Sequence, residues 1–214
     1  MNLSVLAQET SQKKAGDLTT EPYTFETEDN QKVAAELGHL FVPENRNDPQ
    51  SKIIELVFVR FKSTAKNPAS PIVYVSGGSG SGIGAAALKS RFLFFMAMRE
   101  VSDVIVLDQR GVGLSKPSVS CRAAWNLPLD QPTSPESLLR VFDERSRACA
   151  EMLKNQGIDL QAYNTNERAD DLEDLRKALG AKKINLWGII QKQVRLVRYT
   201  ASRKTLVFLP VSRP

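Results

Sequence analysis

Apolar and polar positions fall into two kinds of pattern along this chain. From Tyr23 to Lys62 the segments "QKVAAELGHLFVPEN" and "KIIELVFVRFKS" are rich in β-branched and aromatic residues, which is the composition of strands. Between them "NRNDPQ", Asn45 to Gln50, supplies the Asn, Asp and Pro that favour turns. The two segments therefore read as a β-hairpin.

Downstream the pattern changes to short runs that are apolar throughout, each separated from the next by helical periodicity. Ile72 to Ser76 forms the first run and leads into the glycine-rich "GGSGSGIG". "AALKSRFLFFMAMREV" is apolar at helical spacing, predicting one helix that ends near Arg99. Val104 to Leu107 forms the second run, followed by the turn "DQRGVG". The proline-rich stretch from Pro117 to Pro135 reads as an irregular excursion, and a helix is expected from about Pro135 to Gln156. A further helix is capped by Thr165 or Asn166, has acidic residues in its first turns and basic ones in its last, and stops at Gly180. The third run, Ile184 to Trp187, ends at Gly188. Apolar strands alternating with helices predict an α/β fold: a hairpin leading into a mostly parallel sheet with helices on both faces. Ligands bind at the carboxyl ends of such strands, where the glycine loop, "DQRGVG" and "WGII" all fall.

Composition is globular, with 42% hydrophobic and 25% charged residues. No apolar run reaches the ~18–20 residues of a membrane span. The net charge is +5, but six basic residues and no acidic one lie between Gln191 and Pro214; without them 23 basic residues face 24 acidic ones. The basic character belongs to the tail, and a nucleic-acid partner is not expected. Residues 1–20 are polar and read as disordered, or, from "SVLAQ", as the remnant of a signal peptide. Cys121 and Cys149 allow one disulfide or two buried thiols. His39 is the one histidine, so no His-rich metal site can be assembled, and no cofactor is expected.

"GSGIGA", Gly80 to Ala85, fits a dinucleotide-binding fingerprint. A hairpin precedes it, however, and Asp108 lies far downstream and is followed at once by another glycine turn, which weakens that reading. The alternative is an oxyanion loop: adjacent glycines at Gly77 and Gly78, followed by Ser79, can expose backbone N–H groups to a developing negative oxygen. A tight turn without chemistry is the third possibility.

Three segments taken together, "IVYVSGGSG", "VIVLDQRGVGLS" and "NTNERADDLEDLRKALGAKKINLWG", resemble the α/β-hydrolase superfamily, in its proline iminopeptidase and tripeptidyl aminopeptidase branch. The resemblance covers about Tyr23 to Gly188. It implies a partial α/β-hydrolase domain over residues 21–189 and a serine hydrolase acting on peptides near a free N-terminus. It also implies that Asp108, Gln109, Arg110 and Gly111 brace loops beside the site, and that Cys121 and Cys149 form a bridge in an exported, periplasmic or secreted protein; without export the chain would be cytoplasmic. The family's loop usually has proline at the place of Ser79 and often histidine at that of Ser76, and neither change removes backbone donors.

The pattern breaks after Gly188. The nucleophile elbow G-x-S-x-G, laid on Gly188, puts Ile190 in the serine slot and Lys192 in the last glycine slot. No Asp, Glu or His follows Asp174 to complete a triad, and His39, in an N-terminal strand, reads as structural. Ser115 and Ser118 lie toward the site but have no base in reach. The expectation is an inactive N-terminal portion with an aberrant basic tail over 190–214, as a frameshift near Gly188 would give. The sheet would then stop at Ile184–Trp187, and the bare strand edge would favour aggregation or self-association. A non-catalytic binding protein on the same scaffold, or a nucleotide-binding domain, is the alternative.

Overall fold

A computed structural model describes residues 13–77, 80–121 and 134–188, together with the backbone of 206–208. Strands β1 (Leu18–Glu26), β2 (Lys32–Pro43) and β3 (Ile53–Phe61) are followed by β4 (Ala69–Val75), helices α1 (Gly82–Ala87) and α2 (Lys89–Arg99), and β5 (Ser102–Leu107). Helix α3 (Pro135–Asn155), α4 (Thr165–Ala178), β6 (Ile184–Gly188) and the short β7 (Leu206–Phe208) complete the order. One seven-stranded sheet runs β1-β2-β3-β5-β4-β6-β7. The pairs β1–β2, β2–β3 and β3–β5 are antiparallel, and β4–β5, β4–β6 and β6–β7 are parallel.

Side chains alternate across the sheet because successive Cβ atoms point to opposite faces. On one face Val57, Val59 and Phe61 of β3, Tyr74 of β4, and Val104 and Val106 of β5 pack against Ile83 and Ala86 of α1 and Phe92 and Phe95 of α2. On the other, Leu56 and Phe58 of β3, Val73 of β4, and Ile105 and Leu107 of β5 meet Leu172 and Leu175 of α4. Both faces of the central strands are therefore covered, which explains why those runs carry no polar alternation.

Several expectations are corrected. The antiparallel part has three strands rather than two, because β1 adds to the edge of the hairpin; it begins at Leu18, so residues 18–20 are ordered, not disordered. Residues 1–12, where the signal-peptide reading falls, lie outside the described residues. The single helix ending at Arg99 is two, separated at Leu88, which is extended (φ −64°, ψ 123°). The Ala87 carbonyl there accepts the Glu28 N–H of the β1–β2 turn at 3.0 Å instead of serving a continuing helix. The cap of α4 is Asn164, whose side chain accepts from the N–H groups of Asn166 and Glu167. Finally, the sheet does not stop at β6: the backbone of β7 pairs with it in parallel, Ile184 opposite Leu206.

Candidate functional site at the carboxyl ends of the parallel strands

Strands β4 and β5 run side by side and deliver two loops to one end of the sheet: Ser76 onward, and Asp108 to Ser115. The Asp108 carboxylate joins them. Its Oδ1 accepts the Ser81 hydroxyl at 2.7 Å and the Ile83 N–H at 3.0 Å; its Oδ2 accepts the Leu114 N–H at 2.8 Å. Asp108 is completely buried, so each of these bonds replaces one lost to water. Two glycines make the approach possible. A Cβ on Gly82 would strike the Leu107 carbonyl, and one on Gly113 (φ +62°) would strike the Asp108 carboxylate itself.

Gln109 holds the start of the glycine loop. Its Nε2 donates to the Ser76 carbonyl at 2.9 Å, and the Ser76 hydroxyl donates to the Gly80 carbonyl. In a trans peptide the C=O and the following N–H point in opposite directions. With the Ser76 carbonyl turned to Gln109, the Gly77 N–H is directed away from it. Gly78 and Ser79, the other oxyanion-loop candidates, lie outside the described residues, as does Ile190.

Arg110 serves a different purpose. Fully buried, it donates from Nε and Nη2 to the two oxygens of Asp171 at 2.8 and 2.6 Å, and from Nη1 to the carbonyls of Glu44 and Ala162. Arg46, from the turn between β2 and β3, meets the same helix: it bonds Asp171 at 2.9 Å, Asp174 at 2.7 Å and Glu167. Burial works against the charge on Arg46, yet these carboxylates hold its guanidinium above the ordinary arginine value. Glu44, also buried, accepts the Tyr163 hydroxyl at 2.9 Å; burial, reinforced by that bond, pushes the Tyr163 phenol above its ordinary value. Arg110 and Arg46 together bind α4 to the β2–β3 turn and to the loop after β5.

An open cleft of about 570 Å³ lies beside these loops, lined by Gly80, Ser81, Gly111 to Gly113, Ser118 to Cys121, and Arg168 of α4. Cys121, on its rim, is disulfide-bonded to Cys149 of α3, with Cα atoms 5.9 Å apart. Ser118 and Ser120 line the cleft, whereas Ser115 does not: its hydroxyl donates to the Asp108 carbonyl at 2.6 Å and accepts the Val57 N–H at 2.9 Å. His39 lies on β2, its Nδ1 2.6 Å from Glu55 Oε1.

Sequence reasoning missed Arg46, Glu44 and Tyr163, whose partners are more than 100 residues away and which carry no local signature. It also missed Arg168, for which a signal exists: a basic side chain early in a helix, where acidic ones are favoured.

No protein-family model matches the chain. It is 29% identical over 157 residues to the serine protease Hip1 of Mycobacterium tuberculosis, covering 71% of this chain and 30% of that protein. It is 25% identical over 193 residues to the Escherichia coli protein YuaR, whose name describes it as a hydrolase, covering 80% of this chain and 35% of that one. The chain thus spans about a third of the length of these curated relatives. Among solved structures, proline iminopeptidase of Mycobacterium smegmatis is 16% identical with a TM-score of 0.46, over 78% of this chain and 41% of that one.

Proposed function

We propose, for a chain that carries an α/β-hydrolase scaffold, that it is the loop-bearing part of a peptidase-type serine hydrolase and does not itself hydrolyse peptides. The observation that carries this reading is the junction at Asp108. It clamps the glycine loop after β4 to the loop after β5, and β6, which pairs with β4 in parallel, runs into Gly188 beside them. An acyl-transfer site needs backbone donors held rigidly at such a strand end. The nucleophile is another matter: Ile190 occupies the serine slot of the elbow pattern laid on Gly188.

The peptide is the ligand this reading favours. The name of Hip1 supports the peptidase class, and the cleft beside the clamped loops gives a peptide a place to lie. The Cys121–Cys149 bridge supports an oxidising compartment, and so export. Among the described residues no helix is long and apolar enough to cross a membrane.

The hydrogen bonds of Asp108 weigh against a nucleotide. A phosphate at the start of α1 would need the very donors, Ser81 and Ile83, that the chain's own carboxylate already occupies. A fluorogenic tripeptide carrying a C-terminal aminocoumarin tests the proposal. The purified chain should release coumarin no faster than a heat-denatured sample; saturable release above that background would refute the proposal.

A further inference from the structure

β1 stands at one end of the sheet, and among the described residues no strand pairs with its outer side. Its register with β2 is unbroken, from Leu18 opposite Leu40 to Glu26 opposite Lys32. Hydrogen bonds just beyond both ends fix its phase. The Phe41 N–H donates to the Asp17 carbonyl at 3.0 Å, and the Thr27 N–H to the Gln31 carbonyl at 3.0 Å. Both pairs continue the same register. Bonded and unbonded pairs alternate along an antiparallel ladder, so the odd-numbered residues of β1 turn their backbone groups to β2. The even-numbered ones, Leu18, Thr20, Pro22, Thr24 and Glu26, turn theirs outward.

Such an outer row of donors and acceptors is a template for a further strand. Composition strengthens it, since Thr19, Thr20, Tyr23, Thr24 and Phe25 are all of types enriched in strands. Pro22 interrupts the row. It is exposed, it has no N–H, and it occupies an outward position, where the ladder to β2 loses nothing. It is also the middle residue of β1. A second copy adding antiparallel about a two-fold axis, in the longest register, would place Pro22 opposite Pro22, and neither could donate. Charge does not oppose that register: Glu21 would face Tyr23, and Glu26 would face Leu18. Sliding to avoid Pro22 leaves each copy only Leu18–Glu21 or Tyr23–Glu26 to pair. We infer that Pro22 is what keeps the outer edge of β1 from pairing with a second copy of this chain, so that this edge is a latent dimer interface.

Sedimentation velocity over a concentration series, with residue-resolved amide exchange, tests this on the full chain. In the unsubstituted chain the amides of Thr20 and Thr24 should exchange freely and those of Glu21 and Tyr23 slowly. Pro22→Thr should tighten self-association roughly tenfold or more, as restoring both backbone bonds of the central pair implies, and should protect Thr20 and Thr24. Adding Thr24→Pro returns a proline to an outward position and should reverse both changes, which a general loss of fold would not show. Self-association unchanged by Pro22→Thr would overturn the inference. So would association that leaves Thr20 and Thr24 unprotected, because the contact would then lie elsewhere. Protection of those two amides in the dilute unsubstituted chain would also overturn it, because the edge would already be paired. Should Pro22→Thr fail to fold, Pro22→Ala restores the same N–H and is read in the same way.

Discussion

The Asp108 carboxylate lies 2.7 Å from the Ser81 hydroxyl, across two loops that the sequence separates by 27 residues. The same carboxylate takes the backbone N–H groups of Ile83 and Leu114, so one buried side chain fixes the start of α1 and the turn after β5 together.

Asp108→Ala should therefore destabilise the chain by about 2–4 kcal/mol, because it strands buried donors rather than merely deleting one bond. Urea denaturation followed by tryptophan fluorescence measures this. A loss below ~0.5 kcal/mol would mean that the loops hold without the clamp. Asp108→Asn should fall between, since an amide oxygen can accept from only part of the same set.

Arg110 and Asp171 form a fully buried bidentate pair. Removing either partner alone leaves a buried charge only partly compensated, Asp171 by Arg46 at 2.9 Å and Arg110 by Glu167 at 3.4 Å, and should cost up to about 3–5 kcal/mol. Arg110→Met combined with Asp171→Leu should cost less than the sum of the two single changes, and a double-mutant cycle reads that coupling. Arg46 also contacts Asp171, so the cycle should be repeated in an Arg46→Gln background, where the coupling between Arg110 and Asp171 is predicted to rise.

Tyr163 gives a pH dependence with a definite sign. Burial and the hydrogen bond to Glu44 raise its pKa in the folded chain above the ordinary value of 10.0. The folded state then holds the phenolic proton more firmly than the unfolded state. The resulting stabilisation is fully present below pH 10.0 and is lost as pH rises from there through the folded value. Thermal melts should thus fall in midpoint above pH 10.0, and Tyr163→Phe should make that fall shallower. Burial raises the Tyr74 phenol as well, so the tyrosinate band should show late-ionising phenols of which Tyr163→Phe removes one; an unchanged late phase in that variant would count against the Glu44 contact.

The Cys121–Cys149 bridge closes a loop with a sequence separation of 28 residues. Chain-entropy arguments assign such a loop about 3.5 kcal/mol. Reduction, or Cys121→Ser with Cys149→Ser, should lower the melting midpoint by several degrees. An unchanged midpoint would show that Leu153 and Ile158, which pack beside the bridge, hold this corner alone.

The sequence made the core strands legible because burial on both faces leaves an unambiguous mark: "IVYV", "VIVL" and "INLW" all lie within β4, β5 and β6. Boundaries were harder to read where tertiary contacts decide them. Nothing local to "AAALK" announces that Ala87 gives its carbonyl to Glu28, so one helix was expected where α1 and α2 stand. β1 begins at Leu18 because Phe41 and β2 supply partners that a polar segment does not advertise. β7 was unreadable for a similar reason, since three residues within a basic tail carry too short a pattern to be recognised. At the site, "DQRG" was recognised as a unit, but its division of labour was not. Asp108 and Gln109 hold the glycine loop, whereas Arg110 turns to α4, a distinction fixed by which way each side chain leaves the loop.

The central claim is a serine-hydrolase scaffold without its nucleophile. Incubating the purified, folded chain with a fluorophosphonate and measuring its intact mass tests it most directly. The account predicts an unmodified mass. A stoichiometric phosphonyl adduct on a single serine, lost on prior heat denaturation, would contradict it.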